Sequence, residues 1–222
     1  MTHENRHTTL VIRYDTPIAE TEIPFLRGVI LHATDNVLLH NHIDEQLRYG
    51  YPLVQYKRID GKAAIVCIDD GIEAVHDIIA IDMPQIRLGR RTTSLSAPTL
   101  ELSEADISIR DTMFAYRIHK YFPLNQANNI KYNRTDSIIE RYTLIEQCIV
   151  GNILSLAKSL GIYFDEKIVA RLTCVAKSEL YPFKGIQLRG FDLTFKANVL
   201  LPDYIGLGKH VSIGAGTIIR TN

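Results

Sequence analysis

A strand, helix, hairpin, helix and strand order that restarts with a strand, a long helix and further strands predicts an α+β chain built as two tandem ferredoxin-like βαββαβ halves. Three observations carry that expectation. Asp60-Gly61 separates two strand-like runs, residues 51–59 and 62–68, and Asp-Gly between such runs is a strong two-residue hairpin signal. Helically spaced apolar residues flank this hairpin: Phe25, Leu26, Val29, Ile30 and Ala33 before it, and Ile72, Val75, Ile78 and Ile79 after it. The order then restarts with a strand at 113–121 and a long helical pattern, which places the halves at residues 1–112 and 113–222.

In the first half, residues 8–14 (TTLVIRY) form a β-branched strand. Pro24 suits the first turn of the helix that follows, and residues 38–48 read as a loop. After the hairpin and second helix, residues 85–110 hold short strands broken by Gly89 and Ser96-Ala97-Pro98. In the second half, residues 123–136 read as a polar loop. Ser137 and Glu140 fit a capping box, and Gly161 ends the helix through Ile138, Ile145, Ile149, Ile153 and Leu160. Strands are expected at 168–176 and 185–199. The apolar phase of the latter slips at Gly190, which suggests a β-bulge. No clear second helix follows it.

The chain has 222 residues, 46% of them hydrophobic, enough for a packed core. Its polar N-terminus, with His3 and His7 expected in a mobile end, predicts neither a signal peptide nor a membrane span. Cys67, Cys148 and Cys174 are odd in number and lie in apolar stretches, so buried free thiols and a cytoplasmic setting are expected. With 25 basic and 25 acidic residues the net charge is zero. A polyanion-binding surface would therefore be a local patch, expected in the basic C-terminal third and around the first histidine loop.

That loop, His40-Asn41-His42 followed by Arg48, Tyr49, Tyr51 and Lys57, is the most reactive stretch of the sequence. Histidine moves protons in both directions near neutral pH. Cleaving RNA without a metal needs one group to deprotonate a 2′-OH, one to protonate the leaving 5′ oxygen, and a cation or donor for the phosphorane. His, Tyr, Lys and Arg supply these roles. The alternatives are two solvated histidines, or a metal site completed by Asp44 and Glu45.

The tail, residues 204–218, carries Gly206, Gly208, Gly214 and Gly216 with Lys209 and His210. Such a loop can cradle phosphate through backbone N–H groups. It can equally be tight packing on a sheet. A third reading is a coil of a hexapeptide-repeat acyltransferase, although the pattern spans less than the three repeats such coils need.

Taken together, Leu26-Arg27-Gly28, Leu39-His40-Asn41-His42, Arg48-Tyr49, Tyr51 to Lys57, Asp60 to Ile65 and Gly71-Ile72-Glu73, then Arg189-Gly190-Phe191-Asp192, Phe195, Asn198, Leu201-Pro202-Asp203-Tyr204 and the Gly-rich string, resemble a CRISPR repeat-processing endoribonuclease of the subtype I-B-like branch. The likeness spans residues 8–220. It implies two ferredoxin-like domains of the RNA-recognition-motif kind and a metal-independent, cofactor-free endoribonuclease. Such an enzyme cuts CRISPR repeat RNA by 2′-OH attack, leaving a cyclic phosphate and a 5′-OH. It implies His42 as the main acid/base residue, assisted by His40, with Tyr49 as partner and Lys57 on the phosphorane. It implies RNA contacts from Gly206, Gly208, Lys209, His210, Gly214, Gly216, Arg189 and Lys196. Expected partners are CRISPR repeat RNA, other proteins of a CRISPR interference complex and a second copy of the chain through the helix at 138–160. A non-cutting RNA-binding protein of the same fold is the main alternative.

Overall fold

The computed structural model describes residues 6–33, 42–43, 46–47, 51–79, 83–95 and 98–221. The chain divides into two compact units. One comprises residues 6–105 with 212–214; the other comprises 106–211 with 215–222 and the first five residues.

In the first unit, strands β1 (Arg6–Pro17), β4 (Val54–Ile59), β5 (Lys62–Ile68) and β8 (Thr99–Asp106) form one sheet in the order β4-β5-β1-β8. That is the ferredoxin-like order: second, third, first and fourth strand of a βαββαβ unit. Asp60 (φ 50°) and Gly61 (φ 83°) both take left-handed φ, as a type I′ turn requires. One face of the sheet carries Leu10, Ile12, Tyr56, Ile65 and Cys67. It packs on Leu26 and Ile30 of α1 (Ile23–Ala33) and on Ala74, Val75 and Ile78 of α2 (Asp70–Ile79). The opposite face is buried as well, at Val11, Gln55, Lys57, Ala64 and Val66. This explains why β5 reads as an unbroken apolar run rather than an alternation.

Two short antiparallel pairs lie outside that sheet. β2 (His42–Ile43) pairs with β3 (Gln46–Leu47) inside the expected loop. β6 (Met83–Leu88) pairs with β7 (Arg91–Leu95) as a hairpin between the second helix and the fourth sheet strand.

The second unit repeats the order. β9 (Ile109–Tyr121), β10 (Ala170–Phe183), β11 (Ile186–Val199) and β12 (Thr217–Thr221) assemble as β10-β11-β9-β12. α3 (Gln126–Arg134) and α4 (Ile138–Ser159) fill the first crossover. Ser137 caps α4 by accepting from Glu140 N, and Gly161 follows it at φ 74°. The second crossover is the Gly-rich segment in place of a helix. That segment leads into an ordinary sheet strand, which excludes the β-helix of an acyltransferase.

Four expectations need correction. Residues 126–134 are helical, not loop: Asn125 caps α3 by accepting from Asn128 N, although no residue of α3 is buried. Cys174 is exposed on the sheet-edge strand β10. His7 is not in a loose end: it is 8% exposed, and its Nδ1 lies 2.7 Å from Asp69. Gly190 pairs regularly with Glu179; the register shifts lie on the partner strands instead, between Leu172 and Cys174 and between Val175 and Lys177 of β10, and against β9. There Tyr121 pairs with Phe191 and Ile118 with Leu193, so β9 holds the extra residue, and Lys120 takes φ 50°. What Gly190 provides is closeness, since a Cβ there would lie 2.8 Å from the rings of Phe122 and Tyr181.

Candidate nucleic-acid interface and catalytic residues

The sheet of the second unit turns its two faces to different tasks. Tyr116, Ile118, Phe191, Leu193 and Phe195 are buried on the helix side. The alternate residues of the same strands form an open face: Arg117 opposite Thr194, Lys196 opposite Ala115, and Arg171 opposite Lys196. Arg117 and Lys196 are exposed and make this face cationic, while Arg171, exposed on the edge strand, is paired with Glu146 of α4 at 3.3 Å. Period-two alternation in residues 113–121 and 168–176 is the signal that could have found Arg117 and Arg171.

At the end of that sheet the chain builds an aromatic and basic corner. Asp192 Oδ1 accepts from Lys120 N at 2.7 Å and lies 2.8 Å from His119 Nδ1. Lys120 Nζ sits 5.3 Å from the centroid of the Tyr181 ring. The His210 ring lies 4.1 Å from Phe183 and 5.8 Å from Phe122, and Lys184 at the hairpin turn reaches over Phe183. Burial, with Lys209 and Lys184 nearby, holds the His210 imidazole below its ordinary pKa. At pH 7 His210 is therefore an uncharged ring rather than a cation. Lys209 Nζ donates to Leu124 O at 2.8 Å, which fixes its stem while the residue stays exposed. Arg189 belongs to the helix side, 5.6 Å from the Tyr132 ring, and does not share a face with Lys196.

Three of the four glycines of the tail, Gly208, Gly214 and Gly216, are explained by packing and left-handed φ. Gly208 (φ 89°) faces the Tyr121 ring, 2.8 Å from where a Cβ would stand. Gly216 (φ 63°) has Leu207 O in the position of its missing side chain, and its N–H donates to Lys120 O. Gly206 bridges to Thr217, and Gly214 (φ 92°) packs on Ile23 within the first unit. Ile213 runs parallel to Tyr56 there, and Tyr56 N donates to Ser212 O at 3.1 Å. Residues 212–214 are thus stitched to strand β4, one residue before Lys57.

Of the catalytic candidates, His40 and Tyr49 lie outside the described residues. His42 is described as backbone only, in β2 opposite Leu47. Lys57 is fully buried, opposite Ala64 in the sheet. Its Nζ has no hydrogen-bond partner among the described residues. Burial pushes its ammonium down to about pKa 7.

The chain matches the Cas6b N-terminal domain over residues 5–106 and the Cas6b C-terminal domain over residues 108–221. It belongs to the Cas6b family. A crystal structure of Cas6b superposes on this chain with a TM-score of 0.88 at 26% identity, covering 97% of this chain and 100% of the other. A CRISPR RNA processing endoribonuclease Cas6b superposes with a TM-score of 0.76 at 24% identity over 97% of this chain and 100% of that one. An uncharacterized protein of Methanocaldococcus jannaschii is 33% identical over 116 residues, 52% of this chain and 78% of that protein. The double ferredoxin-like architecture of this Cas6b chain is the family's own, as the sequence resemblance implies. Among the described residues no helix is long and apolar enough to cross a membrane.

Proposed function

We propose that this chain binds CRISPR repeat RNA and cuts it at one phosphodiester without a metal, releasing processed CRISPR RNA. Membership of the Cas6b family along both halves of the chain is the observation that carries this reading. The open cationic sheet face and the corner around Lys120, Tyr181, Phe183, Lys184 and His210 support it. Exposed cations meet phosphates, and rings offer faces on which unpaired bases stack. Arg189, Lys196, Lys209 and His210 enter as RNA contacts, with Gly206, Gly208, Gly214 and Gly216 shaping the segment that presents them.

In the proposed chemistry the ribose 2′ oxygen attacks the adjacent phosphorus and the 5′ oxygen leaves, giving a 2′,3′-cyclic phosphate and a 5′-OH. His42 acts as the main acid/base group, His40 carries the second proton transfer, and Tyr49 orients the phosphate. Lys57 has the narrowest part. Its amine is buried, so its part is to stabilise the phosphorane as a cation rather than to bind RNA from solvent. A neutral amine there becomes ammonium as negative charge arrives.

The test is cleavage of an end-labelled repeat RNA in excess EDTA. Cutting should persist in EDTA. His42→Ala should lose about 100-fold or more in single-turnover rate, the usual worth of a general acid or base. Loss of cutting in EDTA, or full activity of His42→Ala, overturns the assignment. Association with a second copy, or with other proteins of a CRISPR interference complex, belongs to the same proposal. Ile138 and Ile139 on α4, 62% and 74% exposed, are apolar residues available to it, and sedimentation with and without RNA checks it.

A further inference from the structure

The first unit carries a groove of about 640 Å³ between α1 and the β6–β7 hairpin, within the size range of ligand clefts. Phe25 forms one wall. It is 49% exposed, unusual for a large aromatic residue beside a packed core. Its ring packs beside the hairpin turn: a Cβ at Gly89 would stand 3.2 Å from its Cε2. On the same helix, one turn further, Gly28 leaves open space: nothing lies within 4 Å of where its side chain would begin. Across the groove stand Gln85 and Arg87 of β6, and His32 closes it at the last turn of α1. Arg87 Nε donates to Gly89 O at 3.0 Å, which orients the guanidinium. Among the described residues lining the groove there is no carboxylate.

We propose that this groove seats an unpaired nucleotide of RNA, with its base stacked on Phe25 and its phosphate on Arg87. The inference rests on the reading that RNA is the substrate and adds a subsite to it. Charge decides between occupants. A cation without a carboxylate suits an anion, and an aromatic face beside an amide and an imidazole suits a base whose edge needs donors and acceptors. The end of α1 carries partial negative charge, which disfavours phosphate near His32 and leaves Arg87 as its partner. His32 and Gln85 then face the base and ribose.

The chain has no tryptophan, so Phe25→Trp creates a single-tryptophan protein whose emission reports on this groove alone. Titration with a single-stranded adenosine hexamer should quench that emission to a saturable limit. In fluorescence anisotropy on labelled repeat RNA, Phe25→Ala should weaken binding about tenfold, in line with the loss of one stacked base. Gly28→Leu, which fills the open space and favours helix, should weaken it similarly without lowering the unfolding temperature. Arg87→Gln should flatten the dependence of log K on log salt by about 0.7. Unchanged emission, or wild-type affinity in Phe25→Ala and Gly28→Leu, overturns the subsite. Such a result with repeat cleavage intact leaves the endoribonuclease reading standing. Quenching without any cleavage sinks the endoribonuclease and keeps the groove.

Discussion

Lys57 is the residue whose physics departs furthest from its sequence context. A lysine in the run YPLVQYKRI reads as a solvated strand residue, yet here it is wholly buried with a folded pKa of about 7. At 1.36 kcal/mol per unit, a fall from 10.5 to about 7 caps the cost of burying it charged at roughly 5 kcal/mol. The sign follows from linkage. Below pH 7 the lysine is protonated in both states and the full cost applies. As pH rises toward 10.5 the native state gives up its proton first, the unfolded state binds more protons, and stability climbs. Lys57→Met should therefore be more stable than wild type by about 2–4 kcal/mol at pH 6–7, and the gap should close by about pH 10.5. Urea unfolding across that range checks it. Parallel pH curves for the two proteins would show that Lys57 is not held uncharged by the fold.

At the level of elements, the β9 bulge joins backbone conformation to the candidate interface. Lys120 adopts left-handed φ, its N–H donates to Asp192, and its ammonium lies over Tyr181. Asp192→Ala removes that acceptor and should cost about 1–3 kcal/mol in urea unfolding. Adding Lys120→Gly should return about 1 kcal/mol by relieving the left-handed residue. An Asp192→Ala protein within 0.5 kcal/mol of wild type would mean that the bulge does not depend on this bond. The Asp60-Gly61 hairpin and the Ser137 and Gly161 ends of α4 were legible in sequence because their chemistry is local. The bulge was not: Gly190 marked the phase change, but the extra residue sits on the partner strand, and only pairing with β9 places it. α3 was missed because it buries no residue. It is held by the Asn125 cap and by Tyr132 packing edge-on against Phe191, a contact 59 residues away in sequence that no local pattern reports.

For the whole molecule, strand order carried the fold. Both sheets use the sequence second, third, first, fourth; the first helical crossover was readable in each half, the hairpin only at Asp60-Gly61, while in the second half β10 continues to Phe183, past the expected strand end at 176. The interface was less legible. The C-terminal basic residues do not form one patch: Lys196 lies on the open face, Arg189 on the helix side and Lys209 on the Gly-rich segment. A net charge of zero therefore hides an exposed cationic sheet face that no summed charge reveals. The chemistry of the loop from His40 to Tyr49 rests on sequence alone. The central claim is that the RNA supplies its own nucleophile. One substitution in the substrate tests that without altering the protein: a repeat RNA with a single 2′-deoxy ribose at the cleaved linkage, compared with the all-ribose strand. The deoxy strand should bind with unchanged affinity and remain intact while the ribose strand yields a cyclic phosphate end. Cleavage of the deoxy strand at the same linkage would contradict the account.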